Sequence, residues 1–285
     1  METTAEQRSV VVAGAGPAGL TCAIYLARAG FRTTVCTNEE ATVSALATTS
    51  AIENYPGFPH GVDPVALLGL MAEQAESCGA EFRTEGVSGI DAAARTATLT
   101  DGSSLRADAF VVAVGAEPVP FSCPGSDLVG IHTCAVCDGS LYAGQEVAVI
   151  GGGDTAFGDA LYLSGVCSSV TMLVRRDVAR VSNEAVIRRV REKENVRILW
   201  KTVVSSIGHE PGGSISLELN GGPDSLEVDG LFACVGVRPR AVPVAGDPSG
   251  VVWLCGDCRP SATRQVSCAV GDAARTALEV ISAIR

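Results

Sequence analysis

The feature that most constrains this chain is a glycine pattern that occurs twice, each time between a short apolar, β-branched run and a helical stretch. Ser9-Val-Val-Val-Ala13 reads as a buried parallel strand and Leu20 to Arg28 as a helix, with Gly14-Ala-Gly16-Pro17-Ala18-Gly19 between them. Glycines at this spacing permit the turn and let a pyrophosphate approach the backbone at the helix N-terminus. The pattern returns at Glu146-Val-Ala-Val-Ile150, followed by Gly151-Gly152-Gly153-Asp154-Thr155-Ala156 and a helix-like Phe157 to Ser164. Two nucleotide sites are implied, and with them an α/β fold of two Rossmann-like domains.

The residues after each second strand bear on which nucleotide is held. Val170 to Val174 runs directly into Arg175-Arg176, with Arg180 beyond. An NAD-binding unit usually places an acidic residue there for the ribose 2′-OH, whereas arginines suit a 2′-phosphate, so the second site is expected to take NADP(H). In the first unit Thr33 to Cys36 is followed by Thr37-Asn38-Glu39-Glu40, which leaves Glu39 or Glu40 as a displaced ribose contact. Phe110 to Pro118 and Leu231 to Pro239 each read as a buried strand running into a glycine and then a proline. These are expected to be the crossings between domains, with the second domain inserted into the first. The expected boundaries are 1–114 and 243–285 for the first domain and 115–242 for the second.

Composition narrows the setting. With 285 residues, 47% of them hydrophobic, the chain can bury a full core. Acidic residues outnumber basic ones 32 to 21, a net charge of −11 that repels a phosphate backbone, so nucleic acid is not an expected partner. The eleven cysteines are odd in number and too sparse for a stapled secreted scaffold, which points to reduced thiols in the cytoplasm. Ser9 to Ala27 carries no charge, but Gly14, Gly16, Pro17 and Gly19 would break a membrane-spanning helix, and no membrane partner is expected.

The chemistry centres on Cys134-Ala-Val-Cys137. Two thiols at this spacing close a small ring and can cycle between dithiol and disulfide. A four-cysteine zinc site would require the other such pair, Cys255 and Cys258, to meet them; redox use is preferred and no metal is expected. Asp138 follows at once and is a candidate proton shuttle, although Asp138-Gly139 is also a turn signal. His132 is an alternative, facing the same side as Cys134 on an extended segment without necessarily reaching it. Cys255 reads as a small buried hydrophobe, and the remaining cysteines in helix-like or strand-like runs as core filling.

Taken in order, Gly14 to Gly19, Glu53-Asn54-Tyr55-Pro56-Gly57, Cys134 to Gly139, Gly151 to Ala156 with Ala160-Leu-Tyr-Leu-Ser164, Arg175-Arg176-Asp177 with Arg180, and Gly256-Asp257 with Arg264-Gln265 resemble the low-molecular-weight thioredoxin reductase family over nearly the whole chain. The resemblance implies FAD held by Gly14, Gly16, Gly19, Asn54, Asp257, Gln265 and Val266, to which the glycine motif adds Pro17 and Ala18 and the displaced ribose position adds Glu40. It implies NADPH on Gly151, Gly153, Asp154, Thr155, Ala156, Arg175, Arg176 and Arg180. It also makes Cys137 the thiol facing the flavin, Cys134 the thiol attacking the substrate and Asp138 the acid, in a homodimer that rotates its domains to pass electrons from NADPH through FAD to thioredoxin. Departures from the family pattern are Ala41-Thr-Val-Ser-Ala-Leu46 in place of its Gly-Gly-Gln-Leu loop, Gly158-Asp159 in place of two glutamates, and a shorter segment from Gly236 to Gly256. Relatives of the family run the chemistry backwards, oxidising a small dithiol to its disulfide, and that is the alternative expectation. A flavin- and nucleotide-binding redox sensor is a third.

Overall fold

The computed structural model describes residues 7–37, 46, 51–210 and 212–285. The chain forms two compact units. One comprises the described residues as far as Glu117 together with Arg238–Arg285, and the other is Pro118–Val237.

The first unit is built on a five-stranded parallel sheet in the order Val252–Leu254, Ala109–Val112, Ser9–Ala13, Arg32–Cys36, Glu81–Arg83. The three valines of its central strand, Ser9–Ala13, suit a strand covered on both faces. Val10 and Val12 meet the helices Pro17–Arg28 and Val266–Ile284 through Cys22, Ala23, Leu26, Ala273 and Val280. Val11 points the other way, into a core with Phe110, Ile90, Ala97 and Leu99 under a second, four-stranded sheet. The Pro17–Arg28 helix starts three residues before the expected Leu20. Gly16 caps it and Pro17 occupies its first turn, where the missing N–H costs nothing. The shortened segment after Gly236 holds the two-residue strand Val244–Ala245, which pairs in parallel with Ile90 and Asp91.

The second unit repeats the plan. Its parallel sheet runs Val196–Trp200, Ser169–Val174, Glu146–Ile150, Gly230–Ala233, Ile131–His132. The helices Asp154–Leu163 and Glu184–Arg191 cover one face around Phe157, Ala160, Met172 and Phe232. A three-stranded antiparallel sheet covers the other through Leu217, Ile207 and Leu231. In this unit the strand beside Gly230–Ala233 precedes the fold in sequence, because Ile131 and His132 lie opposite Leu231 and Phe232. That edge strand delivers the chain to the carboxyl end of the sheet, the side on which open α/β sheets bind ligands. The chain passes between the units through Ala116–Pro118 and Val237–Pro239, which pair as a two-stranded ribbon, with Arg238 on Glu117 at 2.7 Å. No helix among the described residues is long and apolar enough to cross a membrane.

Candidate active site

Cys134 and Cys137 are joined by a disulfide. Cys134 is extended and caps the short helix Ala135–Asp138, and its Sγ accepts the Cys137 N–H at 3.1 Å. Gly139 lets this turn lie against the Asp154–Leu163 helix, since a Cβ there would stand 2.9 Å from Leu163 and 3.1 Å from the Tyr162 ring. Asp138 is thus both the last helical residue and part of the turn. The two sulfurs differ in access: Cys137 is exposed, whereas Cys134 is only 9% exposed. The resemblance gives the partner-facing role to Cys134, whereas the sulfur exposed in this structure is that of Cys137.

The elements around the pair bring two further carboxylate contacts. Asp138 Oδ2 lies 2.8 Å from His132 Nδ1, and His132 Nε2 lies 2.7 Å from the Tyr142 hydroxyl. Behind them, Asp159 accepts the backbone N–H of Ala135, the first residue of the redox helix, and the thiol of Cys234 at 3.1 Å. Burial pushes the Asp159 carboxyl up to about 6, partly countered by these two hydrogen bonds. Burial, together with the adjacent Asp159, likewise drives the Cys234 thiol well above its ordinary value. Asp159 had one sequence signal: it sits on the helical face of Ala156 and Leu163, an acid within an apolar stripe. Its partner Cys234, 75 residues away, had none.

The sign of the Asp159 effect is fixed by its raised value. Folding favours the neutral acid, so Asp159 is without penalty at pH below the unfolded carboxylate range and destabilises the fold as pH rises through about 6. A displacement of that size is worth about 3 kcal/mol. Asp159→Asn is therefore expected to gain stability relative to the parent between pH 4 and pH 7.5. Urea midpoints at both ends of that range test this, and a difference that stays constant with pH refutes it.

The glycine loops have the shape of nucleotide cradles. Gly14 has φ +105°, and a Cβ on it would fall 2.4 Å from the Ala113 carbonyl; one on Gly19 would fall 1.8 Å from the Gly14 carbonyl. Gly256 (φ +70°) is pressed against Ala18, where a Cβ would lie 2.6 Å from that side chain, so Asp257 is carried to the first loop. Asp257 is raised by burial, with Arg264 opposing. Asn54 donates to Gln265 Oε1 at 2.8 Å across 211 residues, and Gln265 caps the helix that begins at Val266. Glu40 lies outside the described residues, as does all of the Ala41–Leu46 segment except Leu46.

In the second unit Gly151 (φ +146°) passes 2.5 Å, measured from a notional Cβ, from the Cys234 carbonyl, with Ala156 2.9 Å away. Gly153 caps the helix whose exposed first residues are Asp154 and Thr155. Asp154 accepts from the Ser182 N–H at 2.8 Å, and the Arg180 N–H donates to Gly152 O at 2.7 Å. The arginine segment is thereby tied to the loop. Arg175 is exposed and Arg176 half-buried at the carboxyl end of Ser169–Val174.

Cys255 and Cys258 are not joined to each other. Both are buried in the first unit, Cys255 with its Sγ 3.7 Å from that of Cys22 and Cys258 donating to the Val112 carbonyl at 3.1 Å.

Two Rossmann-type units, one carrying a disulfide at the carboxyl edge of its sheet beside a glycine loop, define a two-domain oxidoreductase. Residues 8–273 match the family described as pyridine nucleotide-disulphide oxidoreductase, and the chain belongs to it. It is 34% identical over 267 residues to the thioredoxin reductase of Mycolicibacterium smegmatis, covering 90% of this chain and 85% of that one. It is 36% identical over 259 residues to the bifunctional thioredoxin reductase/thioredoxin of Mycobacterium leprae (strain TN), covering 87% of this chain but 56% of that longer protein. Among solved structures it is similar to thioredoxin reductase from Lactococcus lactis, at a TM-score of 0.86 and 28% identity over 98% of this chain and 99% of that one.

Proposed function

We propose that this chain is an NADPH-dependent, FAD-bearing reductase of the thioredoxin disulfide. The observation that carries the reading is the Cys134–Cys137 disulfide, set at the same carboxyl end of the sheet from which the Gly151–Ala156 loop springs. The residues suit the two nucleotides. Gly14 and Gly19 leave room that any side chain would fill, and Asn54, Asp257, Gln265 and Val266 would complete the FAD seat. Gly151, Gly153, Asp154, Thr155 and Ala156 would hold the NADPH pyrophosphate, and Arg175, Arg176 and Arg180 the 2′-phosphate. When bound, FAD supplies the relay by which a hydride equivalent from NADPH becomes an electron pair for the disulfide.

The chain's own residues then perform the exchange. The reduced pair is a dithiol in which the exposed Cys137 meets the partner. Its thiolate attacks one partner sulfur, the partner S–S bond breaks, and the departing thiolate takes a proton from Asp138. The Cys134 thiolate, whose sulfur lies against the Cys137 N–H, then attacks Cys137, restoring the intramolecular disulfide and releasing the reduced partner. The same dithiol run in reverse would be a dithiol oxidase. Both compared relatives are named as reductases, and this chain retains the second glycine loop and the arginines, which such an oxidase has no use for. The proposed setting is the cytoplasm, since the other nine cysteines are free, and the proposed assembly is a homodimer, as the resemblance implies.

Anaerobic mixing of the FAD-loaded protein with NADPH, followed by thioredoxin, tests the reading. Flavin bleaching followed by appearance of thioredoxin thiols supports it, and oxygen consumption with small dithiols in place of thioredoxin reduction overturns it. Replacing Arg175 and Arg176 with Ala is expected to raise KM for NADPH roughly tenfold while leaving that for NADH nearly unchanged, because only NADPH carries the extra phosphate. Equal effects on the two coenzymes would refute the 2′-phosphate role.

A further inference from the structure

We propose that His132 is a positioning residue for the dithiol exchange, orienting Asp138 and returning its proton, with Tyr142 anchoring the far side of the imidazole. The inference rests on the reductase reading and assigns a group that reading does not need.

The ring is held by Asp138, Tyr142 and Phe232. Pairing of Ile131–His132 with Leu231–Phe232 sets His132 at the sheet edge two residues before Cys134, and the short redox helix then turns Asp138 back onto it. One nitrogen lies 2.8 Å from the Asp138 carboxyl and the other 2.7 Å from the Tyr142 hydroxyl. The ring lies over Phe232 with centroids 5.2 Å apart, and the Tyr142 ring stands edge-on to it at 5.3 Å. Tyr142 fits here because residue 230 is glycine: a Cβ there would come within 2.6 Å of the phenol ring.

The titratable groups against the imidazole are Asp138 from the redox helix and Tyr142 from the following turn, while the sheet contributes the uncharged Phe232. Burial and the Asp138 charge hold the Tyr142 phenol above its ordinary value, so it stays a neutral anchor. Proton movement is thereby confined to His132 and Asp138. The His132 side chain is 20% exposed, which leaves it open to exchange with solvent.

The balance is simple. When the partner S–S bond breaks, its departing sulfur takes the Asp138 proton, forming S–H and breaking O–H. The imidazolium then gives its Nδ1 proton to the carboxylate and recovers one from solvent. When Cys134 then displaces the second partner sulfur from Cys137, the same relay protonates it, so that, with the electron pair that the reductase reaction supplies, each cycle adds two protons to the partner disulfide and yields a dithiol.

Two variants separate this role from packing. His132→Gln keeps a donor and an acceptor in place of the ring nitrogens but cannot carry the proton, and His132→Phe keeps the stacking alone. The rate with a small aromatic disulfide, divided by each holoenzyme's own rate of flavin bleaching, is expected to fall about tenfold or more in both. In an Asp138→Asn background His132→Gln should change that ratio less than about twofold, because the two residues act as one unit. The second readout needs neither flavin nor partner. In the dithiothreitol-reduced full chain, the pH profile of Cys137 alkylation is expected to differ between parent and His132→Gln, with Asp138→Asn resembling the latter. An unchanged ratio in His132→Gln, additive losses in the double variant, or identical alkylation profiles would each overturn the proposal. If the parent reduces no disulfide but the alkylation profiles still diverge, the reductase reading fails and the His132 assignment stands.

Discussion

The Cys137→Ser variant is expected to lose thioredoxin reduction by at least about three orders of magnitude while NADPH still bleaches its flavin, since it removes a nucleophile without touching either glycine loop. Cys134→Ser is expected to fail equally in turnover but to fail differently. With Cys137 exposed and its resolving partner gone, it should accumulate a mixed disulfide with thioredoxin, visible as a reductant-sensitive adduct on a denaturing gel. Cys137→Ser leaves only the buried Cys134, 9% exposed, and should trap little. Full turnover in either variant would remove this pair from the mechanism. An adduct confined to Cys137→Ser would reverse the order of the two sulfurs and restore the division of labour that the family resemblance implies.

The second large effect concerns the first glycine loop. Gly14→Val is expected to weaken FAD binding at least about a hundredfold, so that the protein purifies without flavin absorbance. Its positive φ alone strains an L side chain by roughly 1–3 kcal/mol, and its Cβ would collide with the Ala113 carbonyl at 2.4 Å. Gly151→Val should keep the flavin and lose NADPH, because its clash with the Cys234 carbonyl lies in the other unit. Gly69→Ala, with open space around it in the Pro64–Ser77 helix, is the control and should stabilise slightly, by about 0.5–1 kcal/mol. Normal flavin content in Gly14→Val would dismiss the loop as a pyrophosphate seat.

Much of the fold is legible from sequence because its signals are local. The strands Ser9–Ala13 and Glu146–Ile150 fall where their β-branched runs lie, and each opens into its glycine turn. The helices at Pro17 and Asp154 begin three residues before their apolar periodicity does, because the first turn of each is made of residues that read as loop. Asp138 is visible as both acid and turn residue because both roles are encoded within six consecutive positions.

By itself, the sequence determined two glycine-turn cradles, a closely spaced pair of thiols and the acid beside them, since each is written in a few consecutive residues. Tertiary structure alone decided which sulfur is exposed, that Asp138 and Tyr142 clasp His132, that Asp159 meets Cys234 and the redox helix, and that Asn54 reaches Gln265. Those contacts are set by strand order and register: the Ile131–His132 strand joins its sheet at the edge, beside a strand a hundred residues later, and no spacing along the chain announces such a pairing.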